Sequence, residues 1–318
     1  MNLRLTRRRF SQLAIAGGAT VGLSYLANKT FAQTPNRRSD LTLVGLQLGV
    51  TNSSDDTTPT SLDDTDLGDT TSETILSRLE RELLLPTLDL VTNQSQSLLN
   101  FAESVNLESG EELTGFTSLK DGTLIISRSP ASTSRREDIT TRLTLLSRTA
   151  RTLTVSGIER QEKLGSLVST QEGRLLGLVA RKNGTPPVRL VEVNAETGEV
   201  TSSSRINLPD NERFNQLAQC PDGKLYTTVV GRRGETSLVQ LESGQRPITI
   251  AQLRLDDTVW NNGLQSLFCS AAGQLFAFGA PRYVQPNSLY QVDINSGVMT
   301  KLSDFDAARV TLLSADSL

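Results

Sequence analysis

The chain has 318 residues, 32 basic and 35 acidic side chains, a formal net charge of −3 and no histidine. An acidic balance excludes a general nucleic-acid binder, whose surface must be basic to meet phosphates. The absence of histidine removes the commonest general base and metal ligand.

In chain order, residues 1–32 begin basic, continue through an apolar run from Leu13 to Ala27 and end small at Ala32, the layout of an export signal. Within them Arg7, Arg8 and Phe10, in "TRRRF", resemble the twin-arginine (Tat) export motif. That resemblance implies the Tat translocase as a partner during export, cleavage after Ala32, and a periplasmic or equivalent compartment. Five of the basic residues and no acid lie in this segment, so 27 basic residues remain against 35 acidic ones, a net of −8. The apolar run is short of the ~20 residues that span a bilayer, and no second run follows. The processed chain is therefore expected to be soluble, without a stable membrane span.

After a segment at 33–39, residues 40–50 ("DLTLVGLQLGV") read as a strand. The insertion at 51–73 carries seven acids and no base in a Ser/Thr/Asp-rich composition, which predicts disorder. A capping box from Thr70 to Glu73 and apolar Ile75, Leu76, Leu79 and Leu83 predict a short helix over 73–84, ended before Pro86. The stretch from Pro86 to Phe101 then reads as an outer pair of strands. Four registered segments follow: "FTSLKDGTLIIS", "SLVSTQEGRLLGLV", "QLAQCPDGKLYTTV" and "SLFCSAAGQLFAFG". Their turn glycines, Gly122, Gly173, Gly223 and Gly273, are 51, 50 and 50 residues apart. Each sits where a tight strand-joining turn favours positive φ, and a second strand pair follows each.

A four-stranded sheet cannot bury both faces alone, and a period of 40 to 50 residues marks propeller blades packed around a channel. The last residues, "RVTLLSADSL", match the innermost strand of the repeats, which the N-terminal strands lack. The expected fold over 40–318 is thus all-β: a five-bladed β-propeller of four-stranded antiparallel blades, with the C-terminal strand closing the first blade. This pattern resembles the exported bacterial β-propeller repeat proteins of the NHL-like, WD40-like and quinoprotein-like superfamily. The resemblance implies architecture, since propellers host both binding modules and enzymes.

Chemistry is expected on the face that carries the loops from second to third strands and from blade to blade. Nine residues beyond the turn glycines stand Lys182, Arg232 and Arg282, and the first blade offers Arg135 and Arg136 nearby. Together they predict a basic crescent for an anion or acidic partner, which the acidic insertion could cover. Trp260, Asn261 and Asn262 lie in a blade-to-blade connection, where a ring and amides could hold a sugar or peptide. No carboxylate pair is signalled on the inner strands, although Glu112 and Asp210 to Glu212 fall at the rim. No serine has a histidine base, no phosphate loop is present, and "DDTDLGDTTSE" departs from calcium-loop spacing, so no cofactor or metal is expected. Cys220 and Cys269 are free to pair if the chain is exported, or to remain thiols. The expected function is non-catalytic recognition of a protein, peptide, glycan or anionic ligand. A carboxylate-dependent hydrolase or lyase at the channel mouth, and a structural partner in an envelope complex, are the alternatives.

Overall fold

The computed structural model describes residues 43–50, 86–92, 105–106, 111–130, 139–147, 150–181, 184–209, 211–242, 246–282, 286–305 and 307–313. The export signal with Arg7, Arg8, Phe10 and Ala32, the segment 33–39, the acidic insertion 51–73 and the helix 73–84 lie outside them, as do Arg135, Arg136, Lys182 and Asp210.

The strands run β1 (Leu43–Val50), β2 (Pro86–Thr92) and β3 (Val105–Asn106), then β4 (Glu111–Ser118), β5 (Leu124–Pro130), β6 (Arg142–Leu146) and β7 (Ala150–Thr154) as sheet 1. Sheet 2 is β8 (Glu162–Ser169), β9 (Leu175–Arg181), β10 (Val188–Val193) and β11 (Val200–Ile206). Sheet 3 is β12 (Arg213–Gln219), β13 (Leu225–Val230), β14 (Thr236–Leu241) and β15 (Ile248–Gln252). A hairpin of β16 (Arg254–Leu255) and β17 (Thr258–Val259) leads into sheet 4, made by β18 (Ser266–Cys269), β19 (Leu275–Gly279), β20 (Ser288–Val292) and β21 (Val298–Asp304). Finally β22 (Arg309–Leu312) pairs antiparallel with β1, giving a closing sheet in the order β22-β1-β2-β3.

The architecture is all-β and propeller-like, with no α-helix among the described residues. The inner strands touch in a cycle, β4 on β8, β8 on β12, β12 on β18, β18 on β22, and β22 on β4. The expectation of five equal four-stranded blades is met by four sheets only, because sheet 4 has six strands. The physical reason is a parallel pairing of Arg254 with Val298 and Leu255 with Met299, which attaches the β16–β17 hairpin to the edge of β21. Between sheets 1 and 2 the same junction is a single parallel bridge, Ser156 to Glu199. The outermost strand of the closing sheet also lies further along, at Val105–Asn106, than the expected pair ending at Phe101.

Strand alternation explains the core. On β5, Ile125 packs with Leu164 and Val179 of sheet 2, while Leu124 and Ile126 face Val44 and Leu46 of the closing sheet. Both sheet faces are covered, so "LII" is continuous rather than alternating with polar residues. Five apolar clusters result, each filling the joint between two neighbouring sheets. At the joint of sheets 3 and 4, Cys220 and Cys269 are disulfide-bonded.

Candidate anion-binding face

Antiparallel pairing sets the inner-strand start, the end of the second strand and the start of the third side by side. In sheet 3, Arg213 pairs with Val230, which pairs with Thr236. In sheet 2 the matching row is Lys163, Ala180 and Val188. The loops between second and third strands leave from this end, so the charges that begin the inner strands share a face with them.

Eleven residues before Gly122, Gly173 and Gly223 stand Glu111, Glu162 and Glu212, and before Gly273 stands Asn262. Glu111 accepts from Arg128 Nη1 at 3.2 Å and from Arg142 Nη1 at 3.3 Å. Glu162, buried, accepts from Arg189 Nε at 3.3 Å and from its Nη2. Arg142 and Arg189 occupy matching places on the third strands, and sheet 3 has Ser237 there instead. Its Glu212 is half-buried and forms no ion pair among the described residues. One residue further on, Glu112 and Lys163 pair across the joint of sheets 1 and 2. Sheet 3 presents Arg213 at that offset, exposed and without an ion pair among the described residues, and sheet 4 has Gly263. The repeat thus keeps its charged positions while sheet 3 loses the partners.

Arg232 is exposed in the turn after β13. That turn is closed by Gly231 N donating to Glu235 O at 2.8 Å, and Glu235 Oε2 accepts from Arg233 N at 2.9 Å. The Glu235 carboxylate therefore serves the turn backbone. Gly234 has φ +93°, and a Cβ on it would stand 3.1 Å from Asn261 O, so the turn leans on the connection into sheet 4. Arg282 is exposed at the matching turn of sheet 4.

The structure draws two of the residues expected at the ligand, Trp260 and Asn262, into contacts of the fold. Trp260 is 2% exposed and packs edge-on against Tyr290, with ring centroids 5.4 Å apart, in the core between sheets 3 and 4. Its ring fills the joint because the short connection buries it among Leu253, Leu264 and Tyr226. Asn262 is a clamp: its Nδ2 donates to Ala280 O at 2.9 Å and its carbonyl accepts from Thr236 Oγ1 at 2.7 Å. Asn261 stays exposed on the face. Sequence reasoning missed Arg213, whose signal is its offset of ten from Gly223, shared with Glu112 and Lys163.

It also missed Arg309, on the closing strand. The Arg309 guanidinium donates from Nη1 to Gln265 O and from Nη2 to Leu113 O at 2.6 Å, carbonyls on either side of β22. Burial pulls its pKa down to about 10, with the Glu112 carboxylate pulling weakly the other way. Among the described residues no group of three His, Cys, Asp or Glu is placed to hold a metal. A shallow cavity of about 410 Å³ lies by Asp293, Ser296 and Thr300 at the outer edge of sheet 4, away from these charges.

No protein-family model matches the chain, and no curated protein matches it. Among solved structures it is similar to a protein of unknown function from Dyadobacter fermentans DSM 18053, at 11% identity and a TM-score of 0.47 over 70% of this chain and 72% of that one. A protein of unknown function from Bacteroides caccae matches at 14% identity and a TM-score of 0.43, over 71% of this chain and 94% of that one. The Hadza microbial sialidase Hz136 matches at 11% identity and 0.44, over 70% of this chain and 55% of its own. These likenesses carry no argument about function.

Proposed function

We propose that this chain is an exported, non-catalytic binding protein, a propeller of five blades closed by its C-terminal strand. It recognises an anionic group on a protein, peptide or glycan at the face where the inner strands begin. The observation that carries this reading is Arg213 and Arg232, both exposed and without an ion pair among the described residues, at one end of sheet 3. Guanidinium groups free of internal partners are suited to carboxylates and sulfates, which they meet bidentately. The five-blade count is supported by the cycle of inner-strand contacts and the five filled joints. Export is supported by the Tat-like start and by the Cys220–Cys269 disulfide, a bond that persists in oxidising compartments.

Recognition is favoured over carboxylate-dependent hydrolysis because three of the acids at this face are already engaged, which leaves Glu212 without a second free carboxylate beside it among the described residues. Glu111 serves two arginines, Glu162 serves Arg189 and Glu112 serves Lys163. As for an apolar docking patch, the large exposed hydrophobic residues among those described are Ile248 and Val298.

The test is fluorescence anisotropy with labelled heparin and labelled polyglutamate at low ionic strength. Wild-type protein is expected to bind at least one probe, with affinity falling as salt rises. The Arg213→Ser/Arg232→Ser double variant is expected to lose roughly tenfold, about 1.4 kcal/mol. Binding of neither probe by wild type, or equal binding by the double variant, overturns the reading.

A further inference from the structure

The inner strands of sheets 2 and 4 join their neighbours through a serine. Ser166 Oγ accepts from Leu217 N at 2.9 Å, and Ser266 Oγ accepts from Val310 N at 3.0 Å. Each serine stands seven residues before its turn glycine. On β22 the equivalent place, the residue before Val310, is held by Arg309. A small hydroxyl that touches one neighbour is thus replaced by a long cation that touches two.

Which way that cation runs follows from topology. The two faces of the closing sheet pack against different neighbours, sheet 1 through one apolar cluster and sheet 4 through another. A side chain lying on either face could reach only one of them. Arg309 reaches Leu113 O of sheet 1 and Gln265 O of sheet 4 together, so its guanidinium must pass the inner edge of β22, on the channel side.

Its charge is poorly met there. Arg309 is 9% exposed, and its hydrogen-bond partners are neutral carbonyls. The acid whose field reaches it, Glu112, is paired with Lys163. A buried cation without a bonded carboxylate is costly, and an anion in contact would offset that cost. A guanidinium has five N–H donors, so hydrogen-bonding capacity remains after two carbonyls are served. Gln265, whose backbone carbonyl Arg309 holds, is itself partly exposed, and its side chain forms no hydrogen bond among the described residues.

We propose that Arg309 forms the floor of an anion site in the channel, taking a carboxylate or small inorganic anion with Gln265 as a second donor. This deepens the reading of anion recognition and rests on it for the sign of the ligand's charge, but uses neither Arg213 nor Arg232.

The test is anomalous diffraction from crystals of the full processed protein grown in bromide, alone and with acetate or phosphate added at constant ionic strength. The expected result is a bromide peak within hydrogen-bonding reach of the Arg309 guanidinium, absent in Arg309→Gln. Displacement by acetate assigns the site to carboxylates, and displacement by phosphate assigns it to inorganic oxyanions. Bromide confined to Arg213, Arg232 and other surface cations overturns the channel site and leaves the loop-face reading standing. A peak that persists in Arg309→Gln also overturns it. Should Arg309→Gln fail to fold, the wild-type crystals still decide, because no peak at Arg309 sinks the proposal.

Discussion

The joint between sheets 1 and 2 and the joint between sheets 3 and 4 are built on the same backbone plan and held by different chemistry. At both, a glycine of the turn between third and fourth strands abuts the preceding sheet: Gly198 against Thr154 O, and Gly297 against Gln252 O. At both, a parallel bridge follows, Ser156 to Glu199 and Arg254 to Val298. The first joint adds the Glu112–Lys163 ion pair over an aliphatic cluster, whereas the second adds the Cys220–Cys269 disulfide and the Trp260–Tyr290 contact. The repeat therefore prescribes where neighbouring sheets touch, and each joint is free to choose how.

The largest separation between the joints should come from the disulfide. It closes a loop of 49 residues, and in the chain-entropy account such a cross-link stabilises by about 4 kcal/mol. Cys220→Ala/Cys269→Ala should lower the urea midpoint accordingly. Hydrogen exchange should rise first in β12, β13 and β18, with β4 and β8 protected for longer. Uniform loss of protection around the molecule would show that the joints are not separate units.

The shared plan is tested by Gly198→Ala and Gly297→Ala. Both glycines have positive φ, +77° and +73°, and an added Cβ would stand 2.6 Å and 2.3 Å from a backbone carbonyl oxygen. Each change should cost about 2 kcal/mol in urea unfolding, by strain and by forcing the sheets apart. Gly173→Ala and Gly223→Ala, also at positive φ but with nothing within 4 Å of the new Cβ, should cost about 1 kcal/mol. Equal costs at all four sites would remove the claim that these turns brace the joints.

Smaller still is the ion pair peculiar to the first joint. The Glu112 side chain is 40% exposed, so solvent screens it, and Lys163→Met should cost no more than about 1 kcal/mol by urea midpoint. A loss as large as that of the disulfide would mean that charge, not apolar packing, holds this joint.

These differences also mark what the sequence could show. The turn glycines were legible because a two-sided sheet with a tight inner turn repeats its backbone demands at fixed intervals, and the closing strand was legible as a missing member of that set. The hairpin β16–β17 was not. Its two-residue turn is Asp256–Asp257, both at positive φ, 48° and 62°, where an Asn-Gly pair would have announced it. Trp260 misled because its place in a connection says nothing of the depth to which that connection is drawn. Arg232 and Arg282 were found by counting along loops, which no ladder keeps in register. Arg213 sits on a strand, where the count is physically meaningful, yet its lost partners appear only when the pairing of Arg142, Arg189 and Ser237 is known. Arg309 follows no turn glycine count at all, so only the closed cycle reveals its neighbours.

The finest distinction lies in the two bracing turns themselves. Asn194 Oδ1 accepts from Glu196 N at 2.7 Å and from Thr197 N at 3.1 Å, and Asp293 does the same work in sheet 4 with a carboxylate. The Ser296 hydroxyl and then the Asn295 N–H hold the Asp293 pKa below its ordinary value. A folded-state pKa below the unfolded one contributes stability that is present above the unfolded value of about 3.9 and lost as pH falls through the folded value. The turn at the joint of sheets 3 and 4 should therefore loosen in acid, and the Asn194 turn, which does not titrate, should not. Asp293→Asn should flatten the acid limb of the urea midpoint below pH ~4 and leave the midpoint at neutral pH nearly unchanged. An unchanged acid limb in Asp293→Asn would locate the acid sensitivity elsewhere and make the two turns equivalent in chemistry as well as in backbone.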